Sequence, residues 1–458
     1  MCRALLRLLG AVAALTPLFT AGTAVASVAA CPQQFGSYAS GNWPTACWRP
    51  YGPGSPFNRP LPADPQLAAD SGAIVDYMVS HSYHFDGDQH QFAFSSSGRG
   101  AIYYSRPSDP LVTIDCTAVW GPNTCQGANG VDVNGITIHI PAGAEPDPNS
   151  DHHLTVVDQT AQVEYDFDLA AWSAGGQTLT VGSASQIPIG PDSGTGLGSQ
   201  GTAAHFATLA GLITEPELAA HQIDHALAVS IPCTDGVVWP ALGPFGYPCG
   251  QMGASPASGE VAPPLGTLFQ LDETDQQIAE SGAPGWQQAI MTAMAHYGMY
   301  VNDTGGPDSD GTLSLEKEAD VSYTSVGGPP QMGNYLRSLN GTYWAPGHYW
   351  TVWGVPIDVS KLRVVDPCVD QGTCPTPVAQ AARSHQRVRA RQRATGYRQW
   401  VTLPGHHRRH AKRRVVSCRR SKRSTRSARS ARSRHGHRHH HRTRHGRSAA
   451  CRVQRRSR

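Results

Sequence analysis

Hydrophobic and polar positions along this chain change period several times, and the changes divide it into short elements. In VEYDFD, residues 163–168, the alternation is strict: Val163, Tyr165 and Phe167 fall on one face of a strand, and Glu164, Asp166 and Asp168 fall on the other. Comparable runs, bounded by Gly, Pro, Asn and Asp, recur at GAIYYSRP, LVTIDCTAVW, VDVNGITIHIPA, HLTVVDQ, QTLTVGS, HALAVSIP, GTLFQLD, MYVND and HYWTVWGVPI. They predict a mainly β body, a β-sandwich or jelly roll, rather than alternating βαβ units. Helical spacing is confined to two or three short stretches. Thr214-Glu-Pro-Glu217 is a capping box with Pro216 in the first turn, opening a helix through Ala219 and Ala220. From Gly285 to Tyr297, the residues Ile290, Met294 and Tyr297 make one stripe, which Gly298 ends. In IDHALAVSI the alternation places His225 with Ile223, Leu227, Val229 and Ile231 on an apolar face. In MYVND, Asp303 shares a face with Met299 and Val301.

The two ends of the chain follow other rules. MCRALLRLLGAVAALTPLFTAGTAVAS has Arg3 and Arg7, a short apolar run and the small-residue pattern Ala24-Val25-Ala26. That is a secretory signal peptide over residues 1–26, too short and interrupted to be a spanning helix. Val28-Ala29-Ala30-Cys31 also reads as a lipoprotein cleavage box, which makes anchoring at Cys31 a minor alternative. No later stretch is long and apolar enough to span a bilayer, so the expected location is secreted, with retention at the cell surface as a variant. The cysteines fit that compartment. Setting aside Cys2, Cys418 and Cys451, they fall into close pairs, Cys31–Cys47, Cys116–Cys125, Cys233–Cys249 and Cys368–Cys374, which read as local disulfides. None has zinc-knuckle spacing or a histidine at ligand spacing.

Charge sharpens the division. Of the 37 lysines and arginines, 27 lie beyond Ala379, where there is no acid; the formal charge of +3 therefore conceals a body near −24. Residues 27–375 are expected to form a secreted β-rich globular domain, and residues 376–458 a disordered Arg/His/Ser-rich tail. Such a tail suits adhesion to anionic cell-wall polymers, nucleic acid binding or histidine-based metal capture, or it is a solvated counterweight to the acidic body. Its near lack of aromatics, which stack on bases, counts against nucleic acid. Cys418 and Cys451 can pair with each other or cross-link chains.

Several motifs fail on inspection. GPDSDGTLSLEKE has the look of a calcium loop, with Asp308 and Asp310 at its third and fifth positions, but Gly306 and Lys317 occupy the first and twelfth. A looser calcium site at Asp308 and Asp310 stays open; no other cofactor is required. G-x-S-x-G, H-E-x-x-H and a P-loop are absent.

The blocks DHHLTVVDQ, EYDF, HAL, VVWPAL, PPLG and YGMYVND resemble, in this order, a group of exported bacterial proteins of uncharacterised activity. That group carries D-x-H…D, Y-E, H-A-L, W-P-A, P-P-M-G and Y-G-M…D-N-G, and the likeness runs from about Ser55 to about Gly306. By this resemblance Asp151, His153, Asp158, Tyr165, His225, Trp239, Pro240, Tyr297 and Asp303 stand at the recurrent positions. Asp166 replaces a glutamate, Leu265 a methionine, and Asn302-Asp303-Thr304 departs from the aspartate–asparagine pair. The resemblance implies one secreted domain with a polar site and names no reaction. Locally, EYDFD is similar to the E-x-D-x-E strand of jelly-roll glycoside hydrolases of the laminarinase and xyloglucanase kind. That similarity implies Glu164 as nucleophile, Asp166 as its tuning residue and Asp168 as acid/base, with retaining carboxyls about 5–5.5 Å apart. Asp168 is one methylene shorter than that pattern expects, and a solvated strand face is the plain alternative.

The combined expectation is an exported β protein that acts on, or attaches to, extracellular polysaccharide. As an enzyme, a glycoside hydrolase or a lyase, it would gather Asp151, His153, Asp166, His225 and Asp303 in a groove. Tyr165, Trp239 and Tyr297 would contact the sugars, and a histidine would serve as base. A strongly negative body favours a neutral or basic glycan over a polyuronate. A binding module would keep the aromatics without the titrating pair, and a structural envelope protein would rely on its tail. A histidine on an apolar face is more often a hydrogen-bonded core residue, and Asp303 fits a turn equally well.

Overall fold

The computed structural model describes residues 38–39, 43–81, 91–96, 100–148, 151–190, 194–243, 246–305, 313–345 and 348–374. The chain divides into two units, Met1–Gln380 and Ala381–Arg458, and every described residue belongs to the first.

The body is mostly sheet. The largest sheet has eight strands in the order β14 (Thr342–Trp344), β15 (Tyr349–Pro356), β1 (Gln91–Ser95), β13 (Ser314–Leu315), β10 (Leu227–Ile231), β12 (Met299–Thr304), β11 (Leu268–Leu271) and β16 (Leu362–Val365). It is mixed: β10 pairs with β12 in parallel and with β13 antiparallel. A four-stranded sheet follows the order β2 (Ile102–Ser105), β5 (Leu154–Asp158), β6 (Val163–Asp168) and β9 (Ser183–Pro188). Another runs β4 (Thr137–His139), β3 (Leu111–Cys116), β8 (Thr178–Val181) and β7 (Ala171–Trp172).

Period-two alternation explains how the layers stack. Tyr103, Val156, Tyr165 and Phe167 of the β2-β5-β6-β9 sheet join Ile114, Ile138 and Leu179 of the other four-stranded sheet in one apolar cluster. Ile102, Tyr104, Val157 and Ile187, on the opposite face, belong to the large cluster that also holds Leu227, Val229, Phe269 and Val301 of the eight-stranded sheet. The β2-β5-β6-β9 sheet is therefore covered on both faces, and β6 carries Glu164 and Asp166 into the interior.

Helices are more numerous than the expected two or three: α1 (Ser71–Ser80), α2 (Glu215–Ala220), α3 (Asp275–Glu280), α4 (Gly285–His296), α5 (Val321–Thr324), α6 (Gln331–Ser338) and α7 (Cys368–Gln371). In α1, Ile74, Tyr77 and Met78 are buried at i, i+3 and i+4, and α3 opens on a capping box of Thr274 and Gln277. Both signals are local; α5 and α7 are single turns, too short to show a period. The capping box at Thr214 and the stripe on α4 form where the spacing places them. Gly298 follows α4 with φ of +84°, and a Cβ there would lie 2.9 Å from the Phe269 carbonyl oxygen, so glycine is required.

Disulfides join Cys116 to Cys125, Cys233 to Cys249 and Cys368 to Cys374, which fits an oxidising compartment. Cys31, the signal peptide, the candidate calcium residues Asp308 and Asp310, and the tail lie outside the described residues. Among the described residues, no helix is long and apolar enough to cross a membrane.

Candidate functional site

A cleft opens where three distant parts of the chain meet. The strap 43–51 supplies Trp43, Trp48 and Arg49, α2 and its flanks supply Glu217 and His225, and the segment around α5 supplies Glu318 and Tyr323. Tyr104 of β2 completes the aromatic wall. Trp43 meets Tyr323 and Tyr104 edge-on at ring-centroid distances of 4.3 and 5.2 Å, and Trp48 meets Tyr104 at 5.8 Å. Edge-to-face contacts of this kind orient each ring and leave it rigid. The strap is held locally as well, since Arg49 Nη1 donates to the carbonyls of Ala46 and Trp48 at 2.9 and 2.8 Å.

The Glu217 carboxylate makes four polar contacts in the cleft. Its Oε2 accepts from the Thr214 amide at 3.0 Å and the Thr214 hydroxyl at 2.9 Å, as the capping box dictates. Its Oε1 lies 3.0 Å from His225 Nε2 and 3.3 Å from Arg49 Nη1. Arg49 Nη2 also lies 3.7 Å from Asp224. Burial alone would raise the Glu217 carboxyl, but His225, Arg49 and the Thr214 amide outweigh it and hold the group below the usual carboxylate range. Glu217 is therefore ionised.

Glu318 is the opposite case. Its Oε1 accepts from the Glu215 amide at 2.7 Å, and its Oε2 lies 2.6 Å from the Tyr323 hydroxyl. Burial pushes this carboxyl up to about 8, with the nearby Glu215 and Glu217 adding to the rise and the Tyr323 and Glu215 hydrogen bonds opposing it. At neutral pH it keeps its proton. Burial and the adjoining Glu318 likewise raise the Tyr104 and Tyr323 hydroxyls well above the phenol range, so both stay neutral. One cleft thus holds an ionised glutamate and a protonated one, the condition for acid/base work by two carboxyls at a single pH.

Of the residues expected to form the site, His225 lines this cleft; the others lie elsewhere. Asp151 is exposed, and its carboxylate is 3.8 Å from Nε2 of the buried His153. Asp303 lies within β12 opposite Ser230, buried, and accepts from the Thr304 amide at 2.6 Å and the Ala203 amide at 3.3 Å. Tyr165 faces the apolar cluster between the four-stranded sheets, stacked parallel to Phe167 at 6.3 Å. Trp239 is half-buried in the cis Trp239–Pro240 turn, and Tyr297 is half-buried just beyond α4; neither lines the cleft.

The three acids of β6 do not share an open face. Glu164 and Asp166 are sealed, whereas the half-buried Asp168 accepts from Trp120 Nε1 at 2.7 Å. The chain alternation was legible, but the layer that covers this face comes from residues 43–58 and 199–209, far away in sequence. Glu318 and Arg49 were missed for the same reason. A local clue existed in WPTACWRPY, where a scarce arginine sits among three aromatics of an acidic body. Among the described residues no group of three or more metal-binding side chains comes together. No protein-family model, curated protein or solved structure matches the chain.

Proposed function

We propose that the cleft is the active site of an exported carbohydrate-active enzyme that cleaves an extracellular polysaccharide. One observation carries the reading: Glu217 and Glu318 line the same aromatic-walled cleft in opposite protonation states. In this reading Glu318 donates a proton to the leaving glycosidic oxygen. Glu217 serves as nucleophile or as base for a water, held in place by His225 and Arg49. The half-buried Trp43 offers its ring to a sugar, whose C–H groups suit such a wall, and the buried Trp48, Tyr104 and Tyr323 line the cleft behind it. The β-sandwich expected from the strand pattern belongs to this reading as its scaffold, one that buries both faces of β6 and leaves the cleft at its margin. Hydrolysis fits two carboxyls better than elimination, because His225 faces Glu217 and the Ala226 carbonyl rather than open space.

A second reading, glycan binding without cleavage, is favoured by one specific observation. The Glu217 carboxylate already lies against His225 Nε2 and accepts from Arg49 and twice from Thr214, which leaves it little freedom to attack. The test is product release by the whole protein across neutral, basic and uronate polysaccharides. Reducing ends and unsaturated sugars are both measured, beside Glu318→Gln and Glu217→Gln. Cleavage by the wild type that both variants lose supports the enzyme; retention on a glycan without any product supports the binding module; neither result rejects the cleft as a glycan site.

A further inference from the structure

Two carboxyls enter the protein interior from alternate positions of β6. Glu164 is 0% exposed and Asp166 is 1% exposed. Glu164 accepts from the Tyr51 hydroxyl at 2.6 Å and the Leu209 amide at 2.9 Å. Asp166 accepts from the Thr155 hydroxyl at 2.8 Å, the Ser199 hydroxyl and the Thr208 amide at 3.3 Å. Among the described residues neither carboxyl meets a lysine, arginine or histidine. The approach is close: a Cβ on Gly201 would lie 3.1 Å from Asp166 Oδ2.

Two adjacent carboxylates without a cation, out of reach of water, carry a desolvation and repulsion cost that hydrogen bonds from neutral groups do not cancel. The pair reduces that cost by keeping a proton. We infer that Glu164 and Asp166 hold one proton between them in the folded protein, and that this proton seats the strap 43–51 and the segment 199–209 on β6 as a pH-sensitive latch. The latch bears on the cleft, because Tyr51 and Leu209 both line it. It holds whether or not the cleft cleaves glycan.

The surrounding groups offer no counter-charge. Among the described residues, Tyr51 from the strap and Tyr104 from β2 are the ionisable groups that face the pair; burial, then Glu164 and Asp166, raise the Tyr51 hydroxyl, and burial, then Glu318, Tyr38 and Glu164, raise that of Tyr104, so both stay neutral. Cross-strand neighbours of the acids are Thr155 and Val157 on β5 and Ser185 and Ile187 on β9, none of them titratable. Burial, and then the Asp166 carboxyl, raise Glu164 well above the carboxylate range, against the pull of Tyr51 and Leu209. The folded state thus binds this proton more tightly than the unfolded chain. Its stabilising effect is complete below the unfolded carboxylate value and is lost as pH rises toward the folded one.

The experiment uses the whole protein in heavy water. The infrared spectrum of the wild type minus that of Glu164→Gln, near neutral pH, should contain the carbonyl stretch of a protonated carboxyl; Glu318 cancels in the subtraction. Raising the pH should remove that band, and over the same range the Leu209 and Thr208 amides should lose protection from hydrogen exchange beyond the intrinsic pH effect. In Glu164→Gln, that extra loss should disappear. If the variant does not fold, carboxyl-13C labelling of the wild type follows the same titration. No protonated carboxyl in this pair at neutral pH overturns the shared proton. A proton that titrates while Leu209 and Thr208 stay protected overturns the latch.

Discussion

His225 Nε2 stands 3.0 Å from Glu217 Oε1, while its Nδ1 stands 2.8 Å from the carbonyl oxygen of its own neighbour Ala226. A carbonyl oxygen only accepts, so Nδ1 carries a hydrogen, and the imidazole is oriented from its far side toward the carboxylate. With Arg49 on the same oxygen, the pair ties the first turn of α2 to the strap that walls the cleft.

Breaking that tie by Glu217→Ala removes a capping box and leaves His225 and Arg49 without their buried acceptor. The expected loss is about 3–5 kcal/mol of stability, read from urea unfolding. Glu217→Gln, which keeps the shape, should cost less and flatten the acid limb. The folded Glu217 lies below its ordinary value of 4.5, so its contribution is complete above that value and is lost as pH falls through the folded one.

Glu318 should give the opposite limb. Its carboxyl is raised from 4.5 to about 8, so stability falls as pH rises across that interval. Glu318→Gln should unfold with a flatter alkaline slope than the wild type in thermal melts taken across that range. If the cleft is catalytic, wild-type turnover should decline above about pH 8 as the acid loses its proton, while substrate affinity changes little.

Cys233 and Cys249 close a loop with a sequence separation of 16. Replacing both by alanine frees that loop in the unfolded chain and should lower stability by about 3 kcal/mol. Guanidinium unfolding of the double variant beside the wild type measures it; an unchanged midpoint would show that the bridge adds nothing.

Gly298→Ala should cost more than about 1 kcal/mol, because the residue has φ of +84° and a new Cβ meets the Phe269 carbonyl and the Leu268 side chain. Gly236 has a positive φ but open space around it, so Gly236→Ala separates backbone strain from steric conflict. Thermal unfolding of both variants should show the larger loss at Gly298.

Much of the fold was legible locally. The alternation of Val163, Tyr165 and Phe167 against Glu164, Asp166 and Asp168 is present in β6, and its apolar half faces a core. Thr214 and Glu217 form the capping box that their spacing announces. The site was much less legible. Glu217 read as a helix signal, and Glu318 stands in a charged run, LEKEAD, with no local mark of its burial. His225 reaches the cleft, yet the partners that define its role lie at residues 217 and 226, and Arg49 reaches the same carboxylate from 168 positions away.

The division has a physical cause. Periodicity, capping and close cysteine pairing are short-range properties, set by backbone geometry within a few residues, and the chain carries them whatever surrounds it. Alternation says that Glu164 and Asp166 share a face; it does not say whether that face meets water. That was settled when the strap 43–51 and the segment 199–209 packed over β6 and turned an acidic strand face into a buried carboxyl pair. The same packing brought Glu217 and Glu318 into one cleft, where burial and opposite neighbours drive two identical side chains to different charge states.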